Sequence, residues 1–341
     1  MYIELGTEVS TGCKAMVSEN AVNRHVLITG ISGSGKTYRL FRMEECMVQQ
    51  GARILVLDIG STHRNLAIPE CSVIRVSVHR QGLPFSFLKI AKWKGQGSDS
   101  ERIAVAAVMQ ILAGMGRIGM RKRTAIRKAV QFAMAFQGEG ENDLELIGEG
   151  LKRQEDETAR EVYEDFWNLW ELANFHDGKL SLEEGKVVVL DFSEYDQKTT
   201  KMLIEMTLES AWQWQKSCRN QPPLYIVMDE FQKLNLSAES ALGQILCEGR
   251  KFRLHLFLAT QTLAGYDKEK QALLQQAGTK LFFRPAEREC LRLAHQIYGE
   301  EYHEGEKILR GLNRGEFIAC GDLCVGKNAI CKAIKIGKYN G

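Results

Sequence analysis

The residues Gly30-Ile31-Ser32-Gly33-Ser34-Gly35-Lys36-Thr37 constrain this chain more than any other stretch. They match G-x-x-x-x-G-K-[ST] and stand where that pattern has meaning, directly after the apolar run HVLIT and directly before an amphipathic segment beginning at Lys36. A strand, a glycine-rich turn and a helix in that order make an anion cradle. Glycine lets the backbone turn successive N–H groups toward one point, and the positive end of the helix dipole favours negative charge there. Gly30, Ser32, Gly33, Ser34 and Gly35 are read as the binding loop, Lys36 as the side chain reaching the β and γ phosphates of a nucleotide, and Thr37 as a magnesium-ligating hydroxyl. The expected cofactors are ATP and Mg2+.

A cradle of this kind needs a second metal partner from another strand end. LYIVMDE supplies it: an apolar run that ends in Asp229, read as the magnesium partner, followed by Glu230, read as the base that polarises an attacking water. Two rival strand ends, ARILVLD with Asp58 and KVVVLD with Asp191, lack the following Glu. Asp58 is a candidate neighbour of the nucleotide and Asp191 a structural turn residue. LHLFLATQ closes with Gln261, an amide at the mouth of an apolar strand. A buried amide without partners costs roughly 1 to 3 kcal/mol, so Gln261 is expected to sense the γ phosphate or orient water. His255, inside that strand, reads as a core histidine, and His63, after LDIGST, as a solvated loop residue.

The five runs HVLITG, ARILVLDIG, KVVVLDF, LYIVMDE and LHLFLATQ are apolar throughout instead of alternating. Strands of that kind are buried on both faces, which implies an α/β fold with a mainly parallel sheet flanked by helices. Helical segments are expected near 36–49, 199–216, 238–250 and 286–298. Residues 96–178 hold no plausible buried strand and carry apolar residues at helical spacing, so they are expected to form an inserted all-helical subdomain within a core of 1–95 and 179–341. In that insertion RIGMRKRTAIRK (117–128) has six basic residues and no acidic one, a surface able to meet phosphates. The trio Trp167, Trp170 and Trp212 reads as core packing.

Charge and composition exclude more than they assign. Forty-five Lys and Arg against forty-three Asp and Glu leave a net charge of +2, so any nucleic-acid surface must be local. No run of 18 or more apolar residues occurs, and the start MYIELGTEVSTG has no basic-then-apolar pattern; a cytoplasmic protein without a membrane span is expected. The nine cysteines are scattered singly, and CGDLC has no neighbouring His, so neither disulfides nor zinc are expected. There is no [NT]KxD for guanine recognition and no LSGGQ-type segment.

The ordered set GISGSGKT, LYIVMDEFQKL, CEGRKFRLHLFLATQTL and KLFFRPAE resembles the HerA/FtsK superfamily of P-loop ATPases, over most of 20–330. VIRVSVHRQGLPFSFL (73–88) is similar to that family's connection from its second core strand into the helical insertion. The resemblance implies a RecA-like core, assembly as a hexameric ring with nucleotide bound between subunits, and DNA or protein cargo moved through the centre. It also implies that Arg250, the Arg of EGRK, reaches a neighbour's site as an arginine finger, with Arg253 and Arg284 as competitors. Fewer than about thirty residues precede the loop, so the β-barrel that many members carry is not expected, nor is a C-terminal winged helix, and an accessory partner is expected to supply recognition. A second class of function stays open from sequence: a nucleotide-gated assembly module that translocates nothing.

Overall fold

The computed structural model describes residues 2–19, 21–65, 68–83, 86–94, 98–113, 118–138, 142–172, 182–217, 221–330 and 332–337. In chain order the elements are β1 (Ile3–Thr7), β2 (Lys14–Val17), β3 (Val26–Thr29), α1 (Lys36–Gln49), β4 (Arg53–Asp58), β5 (Val73–Ser77) and α2 (Val78–Gln81). Six helices follow: α3 (Phe87–Lys94), α4 (Ser98–Ala113), α5 (Met120–Phe136), α6 (Asp143–Lys152), α7 (Glu157–Asp165) and α8 (Trp167–Leu172). The chain then returns through β6 (Val187–Asp191), α9 (Gln197–Ser217), β7 (Leu224–Met228), α10 (Ala241–Glu248) and β8 (Leu254–Thr260). It ends with α11 (Lys268–Gln275), β9 (Thr279–Phe283), α12 (Glu287–Tyr298), α13 (Tyr302–Arg310), β10 (Phe317–Gly321), β11 (Leu323–Val325), β12 (Asn328–Ile330) and β13 (Ile334–Ile336).

Among the described residues the main sheet has nine strands in the order β13-β10-β9-β3-β8-β7-β4-β6-β5. From β9 to β5 every neighbouring pair is parallel, and only β10 and β13 run antiparallel at one edge. The five apolar runs read from sequence are β3, β4, β6, β7 and β8, the centre of this sheet. The α/β class with a mainly parallel sheet therefore stands. Residues 73–77, which resembled a connection, form the edge strand β5; their mixed burial explains why they lacked the apolar signal of the central strands.

Alternate residues of each central strand enter different cores, as the period of two requires. Val26, Ile28, Ile54 and Val56 face α1, through Leu40, Met43 and Met47, together with the small sheet. Leu27, Leu55 and Leu57 face α9 to α13 and helices α3 to α8. Val108, Ile126, Ile147, Val162 and Trp170 of the helical segment belong to that same continuous core, so these helices are packed onto one side of the sheet. The small antiparallel sheet, β1-β2-β11-β12, joins both ends of the described chain and covers the other face.

The order of strands decides where chemistry can sit. β8 lies between β3 and β7, with Thr29 opposite Thr260 and Met228 opposite Leu258. The residues that follow these three strands therefore converge at one edge of the sheet, beyond its carboxyl ends, where open α/β sheets bind ligands.

Candidate active site

The loop after β3 keeps its shape through glycine and through two borrowed backbone contacts. Gly30, Gly33 and Gly35 have φ of 151°, 75° and 109°. A Cβ on Gly30 would stand 2.6 Å from Cβ of Phe283, so β9 can approach only because that position is glycine. Ile31 N donates to the carbonyl of Arg284 at 2.9 Å, and Gly315 N donates to the carbonyl of Ser34 at 2.8 Å. Lys36 Nζ is folded back onto the Ile31 carbonyl at 2.9 Å and is nearly buried, at 7% exposure. Burial pulls its pKa down, while Asp229 and Glu230 pull the other way and favour the charged form.

β7 delivers the acidic half. Thr37 Oγ1 donates to Oδ2 of Asp229 at 2.6 Å, and Oδ1 of Asp229 accepts from the Glu230 N–H at 2.9 Å. Glu230 adopts φ 59°, a left-handed conformation that costs a non-glycine residue about 1 to 3 kcal/mol and persists only when its surroundings impose it. Those surroundings are visible: Gln261 Nε2 donates to Oε1 at 2.9 Å, and Lys233 Nζ pairs with Oε2 at 2.6 Å. The Lys233 contact lowers the Glu230 pKa against the opposing effect of partial burial, with smaller help from Gln261 and Lys36, and so holds it as a carboxylate.

Gly30, Ser32, Gly33, Ser34, Gly35, Lys36, Thr37, Asp229, Glu230 and Gln261 thus meet at one sheet edge. Arg250 does not join them. It lies in the 3-10 turn Gly249–Phe252 before β8, at the opposite end of the strand from Gln261, roughly 20 Å away by strand rise. Its side chain is exposed and makes no ion pair among the described residues. Arg253, with φ 56°, lies beside it, whereas Arg284 follows β9 next to the loop and is exposed there.

Three features were not read from the sequence. Arg284 and Gly315 support the loop through backbone atoms, for which side-chain identity gives no signal, although a glycine in NRGEF could have suggested a close approach. Glu44, fully buried on α1, meets His63 Nε2 at 3.1 Å. The expectation of a solvated His63 is wrong, since the ring is 1% exposed and Asp58 accepts the His63 N–H at 2.9 Å. Asp58 accordingly serves the turn it begins, taking the N–H groups of Gly60 and Thr62 as well.

The donor set suits a magnesium nucleotide. A hydroxyl and a carboxylate oxygen lie in contact beside a glycine cradle with a buried ammonium, the hard donors and positive field that Mg2+ and phosphates require. Comparison with known proteins agrees with the arrangement of motifs. The profile of the HerA helicase central domain matches residues 3–211. The chain belongs to the HerA helicase central-domain family.

The profile of the type IV secretion-system coupling protein DNA-binding domain matches residues 178–308, the HerA-type chain's second half. The DNA double-strand break repair helicase HerA of Sulfolobus acidocaldarius is 20% identical, with 99% of this chain and 70% of that protein aligned. The HerA of Sulfurisphaera tokodaii is 22% identical over the same shares. Among solved structures, VirB4 of Thermoanaerobacter pseudethanolicus superposes with a TM-score of 0.71 at 15% identity, covering 99% of this chain and 96% of VirB4. The plasmid coupling protein TrwB, solved in complex with ADP and Mg2+, gives 0.64 at 14% identity, covering 98% and 94%. These likenesses establish the RecA-like ATPase fold of the HerA-type chain. No described helix is long and apolar enough to cross a membrane.

Proposed function

We propose that this chain is an ATP-hydrolysing motor of the HerA/FtsK type, assembled as a ring in the cytoplasm and moving DNA with the help of an accessory protein. The observation that carries hydrolysis is the Glu230 carboxylate, held in a left-handed backbone by Gln261 and Lys233 directly beside the Thr37–Asp229 pair. A binding module has no need of a strained, deprotonated carboxylate at that position.

Gly33, Gly35 and the backbone between them cradle the phosphates of ATP, and Lys36 leaves the Ile31 carbonyl to meet their charge. Thr37 and Asp229 would hold Mg2+, which would supply positive charge to offset that of the phosphates. Glu230 accepts the proton of an attacking water, a role worth roughly 10²- to 10⁴-fold in rate. Gln261, already bonded to that carboxylate, keeps it aimed. Arg250, far from its own chain's site and exposed, is suited to complete the site of a neighbouring subunit, where a guanidinium contributes roughly 10³- to 10⁵-fold.

Support for DNA comes from α5. Lys122 is paired with Glu161 and Asp165, but Arg121, Arg127 and Lys128 are exposed and form no ion pair among the described residues. A cleft of about 1060 Å3 is lined by Arg123, Arg127 and Lys216, with Asn235 and the acids Glu239 and Glu248 also on its wall. The related HerA proteins are named as DNA repair helicases, in keeping with this reading. The test is ATP turnover with and without DNA, together with the salt dependence of binding. Stimulation and a log–log salt slope of several units, about −0.9 per neutralised phosphate on duplex DNA, are expected. Salt-insensitive binding without stimulation points instead to a nucleotide-gated assembly module.

A further inference from the structure

The face of α1 that begins at the nucleotide site continues into a buried ion cluster to which neither the sequence nor the reaction assigns a role. Thr37, Phe41 and Glu44 recur at helical spacing, i, i+4 and i+7, and so share one stripe of α1. Thr37 is tied to Asp229 at the end of β7. Phe41 and Glu44 are tied to His63 in the turn after β4, the strand next to β7: the Phe41 ring meets the imidazole edge to face at 4.8 Å, and Glu44 Oε1 meets Nε2 at 3.1 Å. We infer that His63, held between Glu44 and Asp58, is a positioning residue that fixes the rotation of α1 and thereby sets Thr37 for its magnesium-ligating role.

The cluster has the features of a brace. Glu44, His63 and Asp58 are 0%, 1% and 4% exposed, so their interactions are little screened. Asp58 is anchored by the Gly60, Thr62 and His63 N–H groups and by the Thr62 hydroxyl, which also lies 3.1 Å from His63 Nδ1. Two carboxylates therefore face one imidazole from opposite sides, while Asp229 acts on Glu44 from β7 at longer range. The pair of acids outweighs burial and raises the His63 pKa to about 9, so the ring is an imidazolium at neutral pH. The turn is fixed in its own right: Ser61, at φ 52°, donates to Asp191 and Ser193 at the end of β6. A helix docked on Asp229 at its first turn and on this turn two turns later cannot roll without breaking the charged contact.

This inference rests on the magnesium assignment of Thr37, and its experiment separates the two. Fluorescent ADP is titrated into the full chain with EDTA and at a series of Mg2+ concentrations, for the unmutated protein, Thr37→Ala, His63→Gln and the double variant Glu44→Gln/His63→Gln. Metal-free ADP affinity, set by the loop and Lys36, is expected to change little in any of them. The Mg2+ midpoint is expected to rise about tenfold in His63→Gln, within the range for residues that support a metal ligand, and more in Thr37→Ala. The double variant removes the Glu44 charge together with its imidazolium and leaves Asp58 held by the N–H groups of its own turn, so it serves where the single variant fails to fold, and it should show the same raised midpoint. In the unmutated chain the midpoint should also rise above pH 9, as His63 deprotonates, and stay flat in the double variant. A normal Mg2+ midpoint in the His63 variants beside a raised one in Thr37→Ala overturns the positioning role. A normal midpoint in Thr37→Ala overturns the magnesium assignment itself.

Discussion

Gln261 Nε2 donates to Oε1 of Glu230 at 2.9 Å, joining the residue after β8 to the residue pair after β7. Parallel pairing of these neighbouring strands makes the contact possible, because it brings both carboxyl ends to one edge. Replacing Gln261 with Ala should lower kcat about tenfold with a small change in KM, since the lost contact orients the base rather than holding the nucleotide. Steady-state ATPase kinetics measure this; a rise in KM alone would show that Gln261 serves binding.

Lys233 tunes the same carboxylate. Its contact lowers the Glu230 pKa, so activity in the unmutated chain should persist to lower pH than an ordinary carboxylate would allow. In Lys233→Met the Glu230 pKa returns upward, and the acid limb of the kcat/KM profile should move to higher pH. A profile unchanged on its acid side would separate Lys233 from the base.

Arg250 is predicted to act across a subunit boundary. Arg250→Ala and Lys36→Ala should each be inactive alone, and mixing them should restore part of the activity, because a mixed interface can combine an intact loop with an intact arginine. Turnover measured against mixing ratio gives the answer. No recovery at any ratio, with mixed assembly confirmed by mass, would move the role to Arg284 or Arg253.

The buried imidazole makes stability depend on pH in the alkaline range. Its folded pKa of about 9 exceeds the unfolded value of 6.5, so its contribution is complete below pH 6.5 and is lost as pH rises through 9. The integrated difference is on the order of 3 kcal/mol. Urea unfolding midpoints should fall between pH 7 and 9.5 in the unmutated chain and fall less in Glu44→Gln/His63→Gln.

Much of the site was legible because each motif is local: GISGSGKT and MDE are runs whose chemistry depends on adjacent residues, and apolar continuity identified the five central strands. Strand order was not legible, yet it alone explains why Gln261, thirty-one positions from Glu230, is its partner. The edge strand β5 is only partly buried and so lacked the apolar signal of the centre. The strand β11 pairs with β2 from the far end of the chain and β12 pairs with β11, three residues each, a long-range pairing that such short runs do not advertise. Glu44 and His63 were hidden for a similar reason. Each looks like a surface residue in its own segment, and only the docking of α1 against the turn after β4 puts the two charges together in the interior. Arg250 is assigned from resemblance, because a single chain cannot display the contact proposed across a subunit boundary.

The central claim is hydrolysis at Glu230, and the most direct measurement is single-turnover ATP cleavage by Glu230→Gln beside the unmutated chain. Nucleotide binding, set by the loop, Lys36 and Thr37, should be retained, while the cleavage rate should fall at least about a hundredfold. Cleavage at the unmutated rate with ATP bound would contradict the account.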